Sequence, residues 1–305
     1  MKHKLLVITG PTATGKTRLA ARVAAELDGE VISADSRQVY RGMDIGTGKD
    51  LSDFVTDGKM VPYHLIDIRD PGTEYNVYSF QQDFLKAYQH INNKNKQAVL
   101  CGGTGMYIEA AIGKYRLLKV PKNEPLRKEL AEMDMNMLIS KLRSLKTLHN
   151  ITDITDRDRL VRAIEIADYE VSHYDERINY PDFESKVFAI RFDREVLRAR
   201  ITQRLQQRLD EGMIKEVEQL LNSGLKPEQL LFYGLEYRYV TLFLTGRIGF
   251  DEMFQQLNTA IHQFAKRQMT WFRRMERKGV HIKWIDGQLP LKKKAEKVLS
   301  AVNND

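Results

Sequence analysis

Short apolar runs and helical patterns alternate along most of this chain. The runs fall at 4–9, 30–34, 63–67, 97–101, 187–192 and 280–285, and their length and spacing predict strands of a parallel sheet covered by helices. A helical period begins at 15 and places Leu19, Ala20, Val23, Ala24 and Leu27 on one face before Asp28-Gly29 stops it near 27. Between 122 and 175 the strand signals vanish and the text turns helical, rich in Leu, Met, Lys and Glu. Pro121 and Pro125 mark the entry to this block, and Tyr180-Pro181-Asp182 its exit. Long helical patterns follow at 194–222 and 251–277, with a short helix after Pro290. The expectation is an α/β fold with one core built from 1–121 and 181–305 and an inserted all-helical domain at 122–180.

The first strand leads into Gly10-Pro11-Thr12-Ala13-Thr14-Gly15-Lys16-Thr17, and the first helix follows at once. Strand, glycine-rich turn, Lys-Thr and helix together make a phosphate loop, so the core is expected to resemble a P-loop NTPase. The backbone amides can turn inward around a di- or triphosphate, the helix adds its positive end, Lys16 reaches the terminal phosphate oxygens, and the Thr17 hydroxyl can ligate Mg²⁺. Two more strand ends converge on the same crevice, because ligands of an open parallel sheet sit beyond the carboxyl ends of its strands. One carries Asp35, which fits a Mg²⁺ ligand, a base for an acceptor group, or a cap for the next helix. The other runs Cys101-Gly102-Gly103-Thr104-Gly105, and Thr104 fits either a site hydroxyl or a helix cap. These residues alone describe a phosphate-dependent transferase with a carboxylate base, and leave the transferred group open.

Composition narrows the setting. No apolar run reaches the about 20 residues that span a bilayer, and Met1-Lys2-His3-Lys4 passes straight into the first strand, so neither a membrane span nor a secretory leader is expected. Cys101 is the single cysteine, which excludes an internal disulfide and a cysteine zinc cluster. The histidines show no ligand spacing, and His64, between apolar residues, reads as a hydrogen-bonded core or edge residue. A cytoplasmic monomer is the expectation. The net charge of +7 points mildly to a polyanionic partner. Arg200, Arg204 and Arg208 recur every fourth residue, and Lys266, Arg267, Arg273, Arg274, Arg277 and Lys278 cluster further on. Each set fits a solvated helix face or a nucleic-acid surface.

Several segments give the chain a closer resemblance. GPTATGKT at 10–17, ADSRQVYRGMDIGTGK at 34–49, VPYHLIDI at 61–68, CGGTGMYIEA at 101–110, DRDRLVRAIEI at 156–166 and AKRQMTWFRR at 265–274 resemble the tRNA dimethylallyltransferase family across nearly the whole chain. The resemblance implies that the loop holds dimethylallyl pyrophosphate with Mg²⁺ and that the acceptor is the N6 amine of an adenosine beside the anticodon. Lys16, the loop amides and Thr17 would then absorb the charge of the leaving pyrophosphate. Asp35 would be the base for the amine, and Thr104 would line the channel where the two substrates meet. The family also implies contacts to the tRNA anticodon stem-loop from Asp35, Ser36, Arg37 and Gln38, and from Asp158, Arg159, Leu160, Val161 and Arg162. Arg127 is a further candidate. On a helix Arg159 and Arg162 share a face and suit two phosphates, whereas Leu160 is better read as packing. Trp271 and Phe272 fit base stacking or packing on the sheet.

Two segments depart from the family pattern. Gly234-Leu235-Glu236-Tyr237-Arg238 stands where many relatives have Gly-Tyr-Arg or Gly-Tyr-Lys, so the usual cation aligns with Glu236. Arg238 points about 200° away along a helix. Gly48-Lys49-Asp50 replaces the more usual Ala-Lys-Pro. Three other readings stay open at this point: prenylation of free adenine nucleotides, a small-molecule P-loop kinase, and a catalytically silent RNA-binding protein.

Overall fold

Leu5, Leu6, Val7 and Ile8 are all buried, so the strand that carries them, β1 (His3–Thr9), has no solvent face and runs inside a sheet. β2 (Glu30–Ser33) and β6 (Ala98–Gly102) are buried along their whole length for the same reason. The computed structural model describes residues 3–113, 115, 117–146, 156–173 and 180–303. Its main sheet has six strands in the order β5-β2-β6-β1-β7-β8, with β5 at Tyr63–His64, β7 at Phe183–Arg191 and β8 at Ile282–Asp286, and every pairing is parallel. A two-stranded antiparallel hairpin, β3 (Val55–Thr56) and β4 (Lys59–Met60), stands apart from it.

The sheet lies between helices. α1 (Lys16–Glu26) buries Leu19, Ala20, Val23 and Ala24 against Leu6, Ile8, Val31 and Val99. α2 (Val77–Asn93), capped by the Asn76 side chain, stacks Phe80 on Tyr107 at 4.1 Å; Tyr107 belongs to α3 (Gly105–Ala111). After β7 the chain enters α7 (Arg194–Asp210), α8 (Met213–Asn222), α9 (Pro227–Leu230), α10 (Leu235–Leu244) and the long α11 (Phe250–Arg277); α12 (Leu291–Asn303) follows β8. The expected helix at 194–222 is therefore two, broken at Gly212. The expected strand at 63–67 shortens to Tyr63–His64, because Leu65 and Asp67 turn to positive φ. His64 on that edge bonds Glu30 at 2.7 Å.

The chain forms two compact units, Met1–Lys114 with Pro181–Asp305, and Tyr115–Tyr180. In the second, α4 (Glu124–Ala131), α5 (Met135–Leu145) and α6 (Arg157–Ser172) enclose a small core of Leu130, Leu138, Leu142, Leu160 and Ile164. Asn123, Asp134 and Asp156 start these helices with side-chain caps. Residues 147–155 and 174–175 of the expected helical block lie outside the described residues.

Candidate active site

Register brings three strand ends side by side. Ser33 of β2 pairs with Cys101 of β6, and Thr9 of β1 pairs with Gly102, so the segments after them leave the sheet at one edge. Those segments are Gly10–Gly15, Ala34–Arg37 and Gly103–Thr104. The Thr9 hydroxyl ties two of the ends together by donating to the Gly102 carbonyl at 2.7 Å.

The phosphate loop is pinned from three directions. Thr14 Oγ1 donates to the Pro11 carbonyl at 2.8 Å within the loop. The Thr12 amide donates to Gln268 Oε1 at 2.8 Å, and Gln268 Nε2 donates to the Gly103 carbonyl at 2.9 Å. Arg200 Nε donates to the Ala13 carbonyl at 2.9 Å. Gln268, from the buried side of α11, thus couples the loop to the end of β6; the AKRQMTWFRR segment pointed to it without giving it a role. Trp271, one turn on, packs its ring on Gly105, where any Cβ would collide with it; Phe272 is fully buried. Both aromatics are therefore packing residues. Ala13 at φ 62 and Gly15 at φ 76 shape the turn into α1.

Lys16 and Thr17 open α1 at this edge. Burial lowers the Lys16 ammonium below its usual range; Cys101 and Asp35 oppose that shift and Arg204 and Arg208 add to it. Lys16 has no hydrogen-bond or ion-pair partner among the described residues. The Thr17 hydroxyl lies against the Cys101 thiol, which burial pushes up to about 12 despite Lys16 and Thr17, so Cys101 stays protonated.

Asp35 is half-buried and accepts the Arg37 amide at 2.9 Å. No helix follows it, so it caps none; its charge acts on Lys16, Tyr107 and Glu236 instead. Thr104 precedes α3 without capping it by its side chain, and its hydroxyl accepts the Ser36 amide at 3.4 Å. Gln38 accepts from Ser33 Oγ and donates to the Gly48 carbonyl, both at 3.1 Å. The irregular stretch from 34 to 50 is held by two staples. Lys49, with no exposed side-chain surface, donates to Asp44 at 2.8 Å and to Tyr40 and Asp67. Glu216 of α8 accepts three successive amides, Asp44, Ile45 and Gly46, at 2.7–3.0 Å, and the Tyr237 hydroxyl at 2.6 Å. Glu216 left no trace in the sequence.

Beside the phosphate loop lies a cavity of about 650 Å³ lined in part by Gly15, Arg18, Asp50, Asp53, Arg204 and Arg208. The α7 arginine row faces this cavity and the loop: Arg204 pairs with Asp50, and buried Arg208 reaches Glu236 at 3.4 Å. Arg238 is exposed and lies over the Tyr239 ring. Both departures, Gly48 and Glu236, touch Arg208.

In the helical unit the candidate contacts separate. Asp158 and Arg159 are exposed on α6. Leu160 is fully buried, so it packs and cannot offer its side chain to a partner, and half-buried Val161 packs beside it. Arg127 holds Glu165 with two bonds of 2.7 and 2.8 Å; Arg162 reaches Glu165 at 3.0 Å and the Val120 and Pro121 carbonyls.

The pattern of the IPP transferase family matches residues 38–275, and that of isopentenyl transferases matches 3–61. A tRNA dimethylallyltransferase 2 of Bacteroides fragilis is 54% identical over 292 residues, 96% of this chain and 95% of that protein. The chain belongs to the tRNA dimethylallyltransferase family. Among other members, a tRNA dimethylallyltransferase 1 of Geotalea uraniireducens is 53% identical, with 98% of each chain covered. The full-length tRNA isopentenylpyrophosphate transferase of Bacillus halodurans superposes with a TM-score of 0.72 at 31% identity, covering 99% of this chain and 96% of that one. A eukaryotic dimethylallyltransferase shares the fold at TM-score 0.79 and 23% identity, across 100% of this chain and 79% of its own. Among the described residues, no helix of this family member is long and apolar enough to cross a membrane.

Proposed function

We propose that this chain transfers the dimethylallyl group of dimethylallyl pyrophosphate to the N6 amine of an adenosine next to the anticodon of tRNA. The observation that carries the reading, beside family membership, is the meeting of an unpaired Lys16 with Asp35 and Thr104 at three adjacent strand ends. The amine is a weak nucleophile because its lone pair is delocalised into the purine. As the new C–N bond forms at the allylic carbon, the C–O bond to pyrophosphate breaks, the electron pair leaves with pyrophosphate, and the amine proton passes to the Asp35 carboxylate. Lys16 and the loop amides receive the charge of the leaving group.

Among the described residues no three His, Cys, Asp or Glu side chains gather to hold a metal. The Thr17 hydroxyl is what the loop offers, and that fits Mg²⁺ arriving on the donor, which keeps most of its waters and takes phosphate oxygens as ligands. When bound there, Mg²⁺ supplies charge neutralisation to the diphosphate.

A stacked base cannot enter the crevice, so the adenosine is extruded from its loop. Ser36, Arg37 and Gln38 border its path beside Asp35. Tyr115–Tyr180 adds a docking surface, with Asp158 and Arg159 presented on α6. Arg127 and Arg162 keep about a third of their side chains exposed while holding Glu165, which leaves each a donor edge for a phosphate.

Incubation of the protein with isotope-labelled dimethylallyl pyrophosphate, unmodified tRNA and Mg²⁺ tests this, with AMP as a competing acceptor. Label in tRNA and not in AMP is expected. Label in AMP alone assigns the enzyme to free nucleotides, and ATP consumption in a parallel reaction with ATP and no prenyl donor assigns it to the kinases. An Asp35→Ala variant should lose about 10²–10⁴-fold in turnover and keep tRNA affinity within a few-fold.

A further inference from the structure

Arg208 is held unlike the other described arginines. Its side chain is buried, its Nε has no hydrogen-bond partner, and its contact with Glu236 is 3.4 Å long. Charge-assisted N–H···O bonds close to about 2.7–2.9 Å, and Arg41–Asp70, Arg69–Asp83 and Arg127–Glu165 all reach 2.7 Å. A guanidinium withdrawn from water with idle donors is costly, and it persists where some further anion completes it. Its neighbours on α7 are already committed, Arg200 to the Ala13 carbonyl and Arg204 to Asp50. Arg208 lines the cavity beside Gly15, and its charge is felt at Lys16. The anion it lacks is therefore one seated on the phosphate loop.

We infer that Arg208 grips the diphosphate of the prenyl donor in this chain, that Glu236 holds its place until the donor arrives, and that Gly48 is the space its guanidinium occupies. The inference rests on the proposed dimethylallyl transfer. A planar fork of donors suits two phosphate oxygens at once, which a carboxylate at 236 cannot bind and the exposed Arg238 does not reach. The contact between Glu236 and Arg208 is long at 3.4 Å, so the pair separates readily. Gly48 sits at φ +65, and a Cβ there would collide with Arg208 Nη2. That nitrogen and the Arg204 Nη2 beside it are ends of flexible side chains, so an alanine displaces the guanidinium, and at this φ it strains the backbone as well, a cost that the Arg208→Gln background shares.

The test compares Mg²⁺–pyrophosphate affinity by calorimetry with the KM values for dimethylallyl pyrophosphate and tRNA. Arg208→Gln should weaken pyrophosphate binding and raise the donor KM by about 10–100-fold, with the tRNA KM moving less than about twofold. Adding Glu236→Arg should restore most of the loss, because it returns a guanidinium to the same spot. Glu236→Gln alone should tighten pyrophosphate a few-fold by freeing Arg208. Gly48→Ala should weaken it in the wild-type background and much less in Arg208→Gln. Thermal melting reports any common loss of folding, and the Glu236→Gln arm reads the pair without removing the arginine. Unchanged pyrophosphate affinity in both Arg208→Gln and Glu236→Gln, while wild type still labels tRNA, overturns the role of Arg208. A wild type that neither binds pyrophosphate nor labels tRNA overturns the underlying function instead.

Discussion

Two buried charge clusters in this chain are built to opposite plans. In the helical unit, Glu165 has no exposed side-chain surface and is met by Arg127, Arg162 and the Asn123 amide at 2.7–3.0 Å. Burial alone would favour its protonated form, yet the hydrogen bonds from Arg127, Asn123 and Arg162 override that and hold its pKa at about 2. In the core unit, Lys16 has no partner among the described residues, and Arg208 has one long contact and an idle Nε. Burial lowers both cations, and Arg204 adds to each shift. A cluster neutralised in place holds a fold together. One left short of negative charge is completed by something that binds.

The sharpest way to break this contrast is to remove one charge from each cluster. Lys16→Met should reduce kcat/KM by about 10²–10³-fold and leave the melting temperature unchanged or raised, because it relieves crowded cations. A clear drop in melting temperature would make Lys16 a structural residue. Glu165→Gln should do the reverse, costing about 2–3 kcal/mol of stability in a urea titration, while transfer to a saturating acceptor stays near wild type.

Acid separates the clusters further. An unfolded glutamate titrates near 4.5 and folded Glu165 at about 2, so between these values the unfolded chain binds more protons. The stability that Glu165 contributes is full above pH 4.5 and falls as the pH drops towards 2. Urea midpoints measured at pH 5 and pH 3 should show that loss, and Glu165→Gln should lack this part of it. The smallest effect belongs to the exposed surface. Arg159→Gln should flatten the salt dependence of tRNA binding by roughly one unit of slope with no change in melting temperature.

Much of this was legible in the sequence for physical reasons. Continuous apolar runs such as Leu5–Ile8 have one stable destination, the inside of a parallel sheet, and the glycine-rich turn between such a strand and a helix has the form of a phosphate loop. Asp35 and Thr104 followed from the rule that strand ends converge. What escaped was long-range pairing. The α7 arginines read as a solvated face or a nucleic-acid surface, because a row of charges at helical spacing does not say what it faces. Glu216 is an ordinary polar residue on an amphipathic helix until the fold sets it against three loop amides, and Gln268, named by its segment alone, gains a role only against the phosphate loop. The break at Gly212 and the truncation of the strand after His64 arise from single positive-φ residues, which a periodicity averages away. Leu160 shows the converse: a motif includes it, and packing consumes it.

The most direct test of the account is to locate the diphosphate itself, in a crystal of the full chain grown with Mg²⁺ and the unreactive thiolodiphosphate analogue of the donor. Phosphate oxygens should lie within hydrogen-bond distance of Lys16 Nζ and the Arg208 guanidinium, with Arg208 drawn off Glu236 and the allylic carbon facing Asp35. A diphosphate bound elsewhere, or one seated on the loop while Arg208 stays on Glu236, would contradict it.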